Sequence, residues 1–126
     1  MRDIRFRAKR KDNGEWTYGY VDATMYKDIV VIHTDYSTHG VDPETVGQSS
    51  GLEDKDGKKI YEGDIVEVTS PHEQKLILEV VFSESHAAFM VNKGTRFMPY
   101  YPLCRTLEEN SVVVIGNIHD NPEWHD

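Results

Sequence analysis

No stretch of this chain keeps an apolar residue every three or four positions for longer than about two helical turns. The best such run, 103–110, places Leu103 and Leu107 four apart and then stops. Elsewhere, short runs rich in β-branched and aromatic residues are cut by Gly, Asn, Asp and Pro, the grammar of antiparallel strands. Strands are predicted near 3–10, 15–22, 28–34, 45–49, 64–69, 75–83, 87–92 and 111–118. One tight turn is expected at 42–44, with Asp42 capping and Pro43 in first position. With 126 residues the chain suits one compact domain or two halves, and it can bury roughly two thirds of its unfolded surface. Repeated short strands with this punctuation point to a barrel or a sandwich, and the expected fold is mainly β, with an N-terminal β-hairpin region over 1–49 packed with a small β-barrel over 50–126.

The first hairpin can be read in register. Asn13-Gly14 is the strongest two-residue hairpin signal, because both positions accept positive φ. A two-residue loop there puts Ile4, Phe6 and Ala8 opposite Ala23, Val21 and Gly19, an apolar face for a core. The other face pairs Arg5 with Asp22, Arg7 with Tyr20, Lys9 with Tyr18 and Lys11 with Trp16. That ladder of cations beside rings has two readings. Each cation lies on its neighbour's ring, or the face is a platform for stacking bases or engaging an acidic partner. Under either reading, Trp16, Tyr18 and Tyr20 form the foremost candidate contact patch. Later strands differ from this one. Leu76, Leu78, Val80 and Phe82 share one face of 75–83, with Ile77 and Val81 on the other. Val112, Val114 and Ile118 alternate with Val113 and Ile115, so both strands are expected inside.

Charge is unevenly spread. Six of the 14 basic residues (Arg2, Arg5, Arg7, Lys9, Arg10 and Lys11) fall in the first 11 positions, which carry +5. The remainder carries −13 and the whole −8, which disfavours indiscriminate nucleic-acid binding. The longest apolar run, 87–91, is far short of a membrane span, and Met1-Arg2-Asp3-Ile4-Arg5 lacks a secretory signal's apolar stretch. With the single cysteine Cys104, no internal disulfide can form, and the cytoplasm is the expected compartment.

Reactive motifs are weak. Gly47-Gln48-Ser49-Ser50-Gly51 matches a nucleophile elbow, but turn residues follow where that motif needs a helix. Asp54-Lys55-Asp56-Gly57 hints at a calcium loop, but with Gly57 sixth, Leu52 and Gly63 fall where acids are required. Asp56-Gly57 reads instead as a tight turn. The six histidines lack zinc spacing, so no metal or cofactor is expected. Cys104, between Leu103 and Arg105, reads as a small half-buried residue.

The segment Gly51-Leu52-Glu53-Asp54-Lys55-Asp56-Gly57-Lys58-Lys59-Ile60-Tyr61-Glu62-Gly63-Asp64-Ile65-Val66 resembles the signature of the YopX-like family of bacterial phages and prophages. The opening Met1-Arg2-Asp3-Ile4-Arg5-Phe6-Arg7-Ala8 and the ending Val114-Ile115-Gly116-Asn117-Ile118-His119-Asp120-Asn121-Pro122-Glu123 resemble that family's start and close. Ser50 stands where threonine is usual, and Trp124 where an aliphatic residue is usual. The resemblance implies a largely β protein whose C-terminal part is an SH3-like barrel, and it implies no activity or cofactor. The residues themselves read as scaffold: Asp56-Gly57 turns the chain, Ile60 and Tyr61 anchor it, and Glu62-Gly63-Asp64 turns it into 65–69. Asp64 is expected to accept backbone amides two residues on.

Together these features predict a non-enzymatic binding or assembly module of phage type that self-associates through Arg5, Arg7, Lys9, Lys11, Trp16, Tyr18 and Tyr20. Two alternatives stand beside it. One is a nucleic-acid-associated protein using the same hairpin, and the other an acidic phage inhibitor of a host protein.

Overall fold

Antiparallel pairing between neighbours in sequence organises the computed structural model, which describes residues 4–22, 29–92 and 101–125. The chain divides into two units, Met1–Gly51 and Leu52–Asp126. Ala23, the expected partner of Ile4, lies outside the described residues.

The first unit is built from β1 (Phe6–Lys9), β2 (Trp16–Asp22), β3 (Val30–His33), β4 (Thr38–Val41) and β5 (Gly47–Glu53), which carries the chain onward. Their order is β4-β3-β2-β1-β5, with the next strand, β6 (Lys59–Tyr61), beside β5. Ala8, Ile32 and Val41 are fully buried, and Phe6, Val30 and Val46 pack on them. A single bridge between Arg10 and Val41 returns the end of β4 to the end of β1, so the sheet curls tightly around this small core.

A 3-10 turn at Pro43–Thr45 locks that curl. The Asp42 carboxylate accepts the Glu44 N–H at 3.1 Å, with Pro43 in the first turn, as the sequence implied. The buried Thr45 hydroxyl accepts the Lys9 N–H at 2.8 Å and donates to the Asp42 carbonyl at 2.7 Å. This turn takes up Thr45, so the strand expected at 45–49 begins at Gly47 instead. Strand β4, Thr-His-Gly-Val, carries too little apolar alternation to be seen in sequence.

The second unit contains β6, β7 (Asp64–Thr69), β8 (Lys75–Ser83), β9 (Ala88–Asn92), β10 (Tyr101–Pro102), α1 (Leu103–Glu109) and β11 (Ser111–Asn117). Five of these strands form an antiparallel sheet in the order β10-β9-β8-β7-β11. It is an open sheet and not the closed barrel expected from strand spacing. Edge strand β10 is two residues long, and α1 leads from it to the other edge, covering the core that closure would have sealed. That core is Ile60, Val66, Val68, Leu78, Val80, Val91, Leu103 and Val112. Leu103 is fully buried and Leu107 packs on the cluster, so the four-residue spacing does mark the inward face of α1. Cys104 sits on the outward face and is exposed, contrary to the half-buried expectation.

Neither long strand is interior on both faces. Ile77 is 37% exposed, because β7 sets Glu67 between it and Val113 and keeps that face wet. In β11 the ladder with β7 slips between Val114 and Gly116, leaving Ile115 as an extra, exposed residue. The bulge changes the phase of burial. Val112 is inward as expected, but beyond the bulge Asn117 is buried in place of Ile118.

β2 and β3 approach so closely at Gly19 that a Cβ there would overlap the His33 carbonyl oxygen and press on Ile32. Gly19→Ala is therefore expected to push the two strands apart and destabilise the first unit by about 1–3 kcal/mol. Urea unfolding followed by amide NMR of β2 and β3 measures this, and an unchanged midpoint would contradict the crowding argument.

Candidate functional site

The hairpin tip is where the sequence placed it, but the loop is longer. Arg10 N–H donates to the Glu15 carbonyl and Gly14 N–H to the Arg10 carbonyl, both at 2.9 Å, leaving 11–14 as a four-residue loop. A two-residue turn of the expected type needs positive φ at both centres; here Gly14 has φ of 73° and Asn13 does not share it. Asn13 instead accepts the Glu15 N–H on its side-chain oxygen at 2.9 Å, and Arg10 grips Asp12 with two hydrogen bonds. That hydrogen-bonded guanidinium holds the Asp12 carboxyl below the ordinary carboxylate range.

The longer loop moves every partner by two residues. Phe6 faces Gly19, Arg7 faces Tyr18, Ala8 faces Thr17 and Lys9 faces Trp16. A shift of two preserves the faces, since strand side chains repeat with period two, but it changes who meets whom. Arg7 no longer faces Tyr20, Lys9 no longer faces Tyr18, and Lys11 drops out of the ladder into the loop. Trp16 meets two cations: the Arg7 guanidinium lies 4.7 Å from its ring centroid and the Lys9 ammonium 5.5 Å. Arg7 is only 6% exposed, whereas Tyr18 and Tyr20 are 46% and 58% exposed on the same face. Of the two readings, stacking within the hairpin describes Arg7 and Lys9, and the tyrosines supply the accessible surface.

The signature segment folds around two buried carboxylates. One of them, Asp54, went unrecognised in the sequence. Its Oδ1 accepts the N–H groups of Asp56 and Lys58, both at 2.9 Å, and its Oδ2 accepts the Val114 N–H at 2.9 Å. One side chain thus closes the Asp56-Gly57 turn and ties it to β11, sixty residues on. Gly57 takes φ of 83° in that turn, and Gly63 takes 90° before β7. Asp64 accepts the Tyr61 N–H at 2.8 Å, three residues back and not two residues ahead. Its site is 1% exposed, alongside the buried anchors Ile60 and Tyr61. At the other end Asn117 accepts the N–H groups of His119 and Asp120 at 3.0 and 2.9 Å, folding the closing motif back on itself.

No motif announced the remaining feature, a groove of about 790 Å³ in the second unit. Its floor is Val68, Leu76, Leu78 and Val91, and its far wall is β10 with the side of α1 that carries Arg105 and Thr106. Leu76 and Tyr101 remain 46% and 53% exposed there. Only the assembled sheet and helix create this concavity. Among the described residues, no three His, Cys, Asp or Glu side chains converge as metal ligands would. Nor, among them, is any helix long and apolar enough to cross a membrane. The Gly47–Gly51 match lies within β5, which runs straight on to Glu53 without turning into a helix.

Burial by itself raises the Asp54 carboxyl, but the N–H groups of Val114, Lys58 and Asp56, with the charge of Lys58, outweigh it and hold it below its ordinary range. A depressed folded value means its stabilisation is present above the unfolded carboxylate value, about pH 4, and is lost as pH falls through the folded one. Asp54→Asn sets an amide against a backbone donor and is expected to cost about 2–3 kcal/mol at neutral pH. The gap between variant and wild type should shrink as pH falls through the folded value of Asp54. Urea midpoints measured across pH test this, and parallel curves would refute the clamp.

The fold is similar to that of protein EF1440 from Enterococcus faecalis, known from a crystal structure, with a TM-score of 0.60, 22% identity and 100% of both chains covered. No curated protein matches the chain. The YopX protein family matches residues 5–124, a span that takes in the hairpin, the Asp54 clamp and the Asn117 closure, and on that match the chain belongs to the YopX family.

Proposed function

We propose that this chain is a non-enzymatic binding and assembly module that self-associates through the ring-lined face of its N-terminal sheet. One observation carries the reading. Arg7 and Lys9 both reach the Trp16 ring, while Tyr18 and Tyr20 stand exposed beside it on the same face of β2. A rigid aromatic face seated on cations is the composition that protein interfaces favour. In this reading the protein works in the cytoplasm of a bacterium carrying a phage or prophage.

The nucleic-acid alternative fares worse on the same face. Phosphate binding needs accessible cations, yet Arg7 is buried, Lys9 is drawn over Trp16 and Arg10 is engaged by Asp12.

Two measurements test the proposal. Light scattering of wild type at high micromolar concentration is expected to give at least twice the chain mass, and Tyr18→Ser with Tyr20→Ser to lower it towards one chain. Both tyrosines are exposed, so the change spares the Trp16 stack. A wild-type mass of one chain overturns self-association, and host-lysate capture would then decide for the acidic-inhibitor alternative. Fluorescence anisotropy with mixed-sequence single and double strands is expected to show no binding at roughly 150 mM salt. Micromolar binding there, abolished by charge reversal of Arg7 and Lys9, would put the nucleic-acid reading first.

A further inference from the structure

We infer that the groove in the second unit is a binding site for a small amphipathic carboxylate, its apolar tail on the sheet and its head group at Arg105 and Lys75. At about 790 Å³ the groove lies within the range of sites that hold small ligands. Its floor is continuous with the core: Val91 is fully buried and Val68 and Leu78 are each 6% exposed, while Leu76 next along β8 is 46% exposed. An apolar tail laid along Leu76 and Tyr101 would extend the core by removing those two side chains from water.

The polar lining decides the sign of the head group. Most of it is already committed to local structure. The Ser70 hydroxyl accepts the Gln74 N–H at 3.1 Å, Thr106 donates to the Pro102 carbonyl at 2.9 Å, and Asn110 donates to the Thr106 carbonyl at 3.1 Å. The charged groups are held more loosely. Arg105 reaches Glu109 by one contact of 3.4 Å, with both side chains more than 60% exposed. Lys75 reaches Glu67 at 3.6 Å and is 64% exposed. Solvent-exposed pairs of this kind contribute little and exchange partners easily. Among the described lining residues the cations are Lys75 and Arg105, and each already has a carboxylate beside it, Glu67 and Glu109. A ligand carboxylate can take the place of either partner, and the planar guanidinium of Arg105 suits one in particular.

The experiment uses the full chain with dodecanoate below its micelle concentration. Calorimetry gives affinity, amide NMR gives location, and dodecyltrimethylammonium serves as the control of opposite charge. Saturable one-site binding of dodecanoate is expected, with shifts centred on 68–78 and 101–110. The cationic probe should bind at least about ten-fold more weakly. Arg105→Gln with Lys75→Gln should weaken dodecanoate about five-fold or more, and because both side chains are exposed the spectrum should otherwise be unchanged. Leu76→Asn should weaken both probes alike. The proposal is overturned if dodecanoate shows no saturable binding, if both probes bind equally, if the double variant binds as wild type does, or if the shifts lie on β1 and β2. None of these outcomes depends on the state of association, so the assembly reading stands or falls separately.

Discussion

A single buried carboxylate organises the second unit. Asp54 gathers two N–H groups from its own turn and a third from β11, so a local loop and a distant strand share one anchor. Charge-assisted bonds to backbone amides are among the stronger polar contacts available, and they cost least to arrange where the carboxylate is held by its own loop. The placement of β11 against β7 brings Val112 into the core, and Val112 in turn packs within the cluster that holds α1 through Leu103. The signature segment is therefore a device for fixing strand order. Two of its acidic residues, Asp54 and Asp64, are buried and accept backbone amides.

What was legible in the sequence follows from range. Turn chemistry and short periodicities act over a few residues, so Asp42-Pro43, Asp56-Gly57 and the Leu103–Leu107 spacing read correctly as to place and kind, and Asn13-Gly14 as to place alone. The hairpin faces could also be read, because pairing errors of two residues leave side-chain direction intact. The partners could not, since they depend on how Asn13 and Arg10 spend their side-chain hydrogen bonds. Asp54 was hidden for a related reason. An acid before Lys-Asp-Gly looks like any solvated turn residue until β11 supplies the third donor. The groove had no linear signal at all, being made by the gap between α1 and an open sheet where a closed barrel was expected.

The two units use charge in different ways. In the first, cations are spent on an aromatic ring, which lowers their cost of burial and makes Arg7 part of the structure. In the second, carboxylates are spent on backbone amides, and the cations that remain at the groove are loosely held. Net charge alone conveys neither arrangement. It is the pairing of each group, and not the sum, that decides which surfaces remain open to a partner.

The bulge in β11 gives Ile115 an unusual standing. Its side chain is half exposed and belongs to neither core, yet it occupies the position that shifts every later residue of the strand to the opposite side. Asn117 points inward and gathers the closing turn only because that extra residue precedes it. The information carried at 115 is therefore a count and not a chemistry. Many side chains could stand there without loss, whereas the chain one residue shorter would present its closing motif to the wrong face of the sheet.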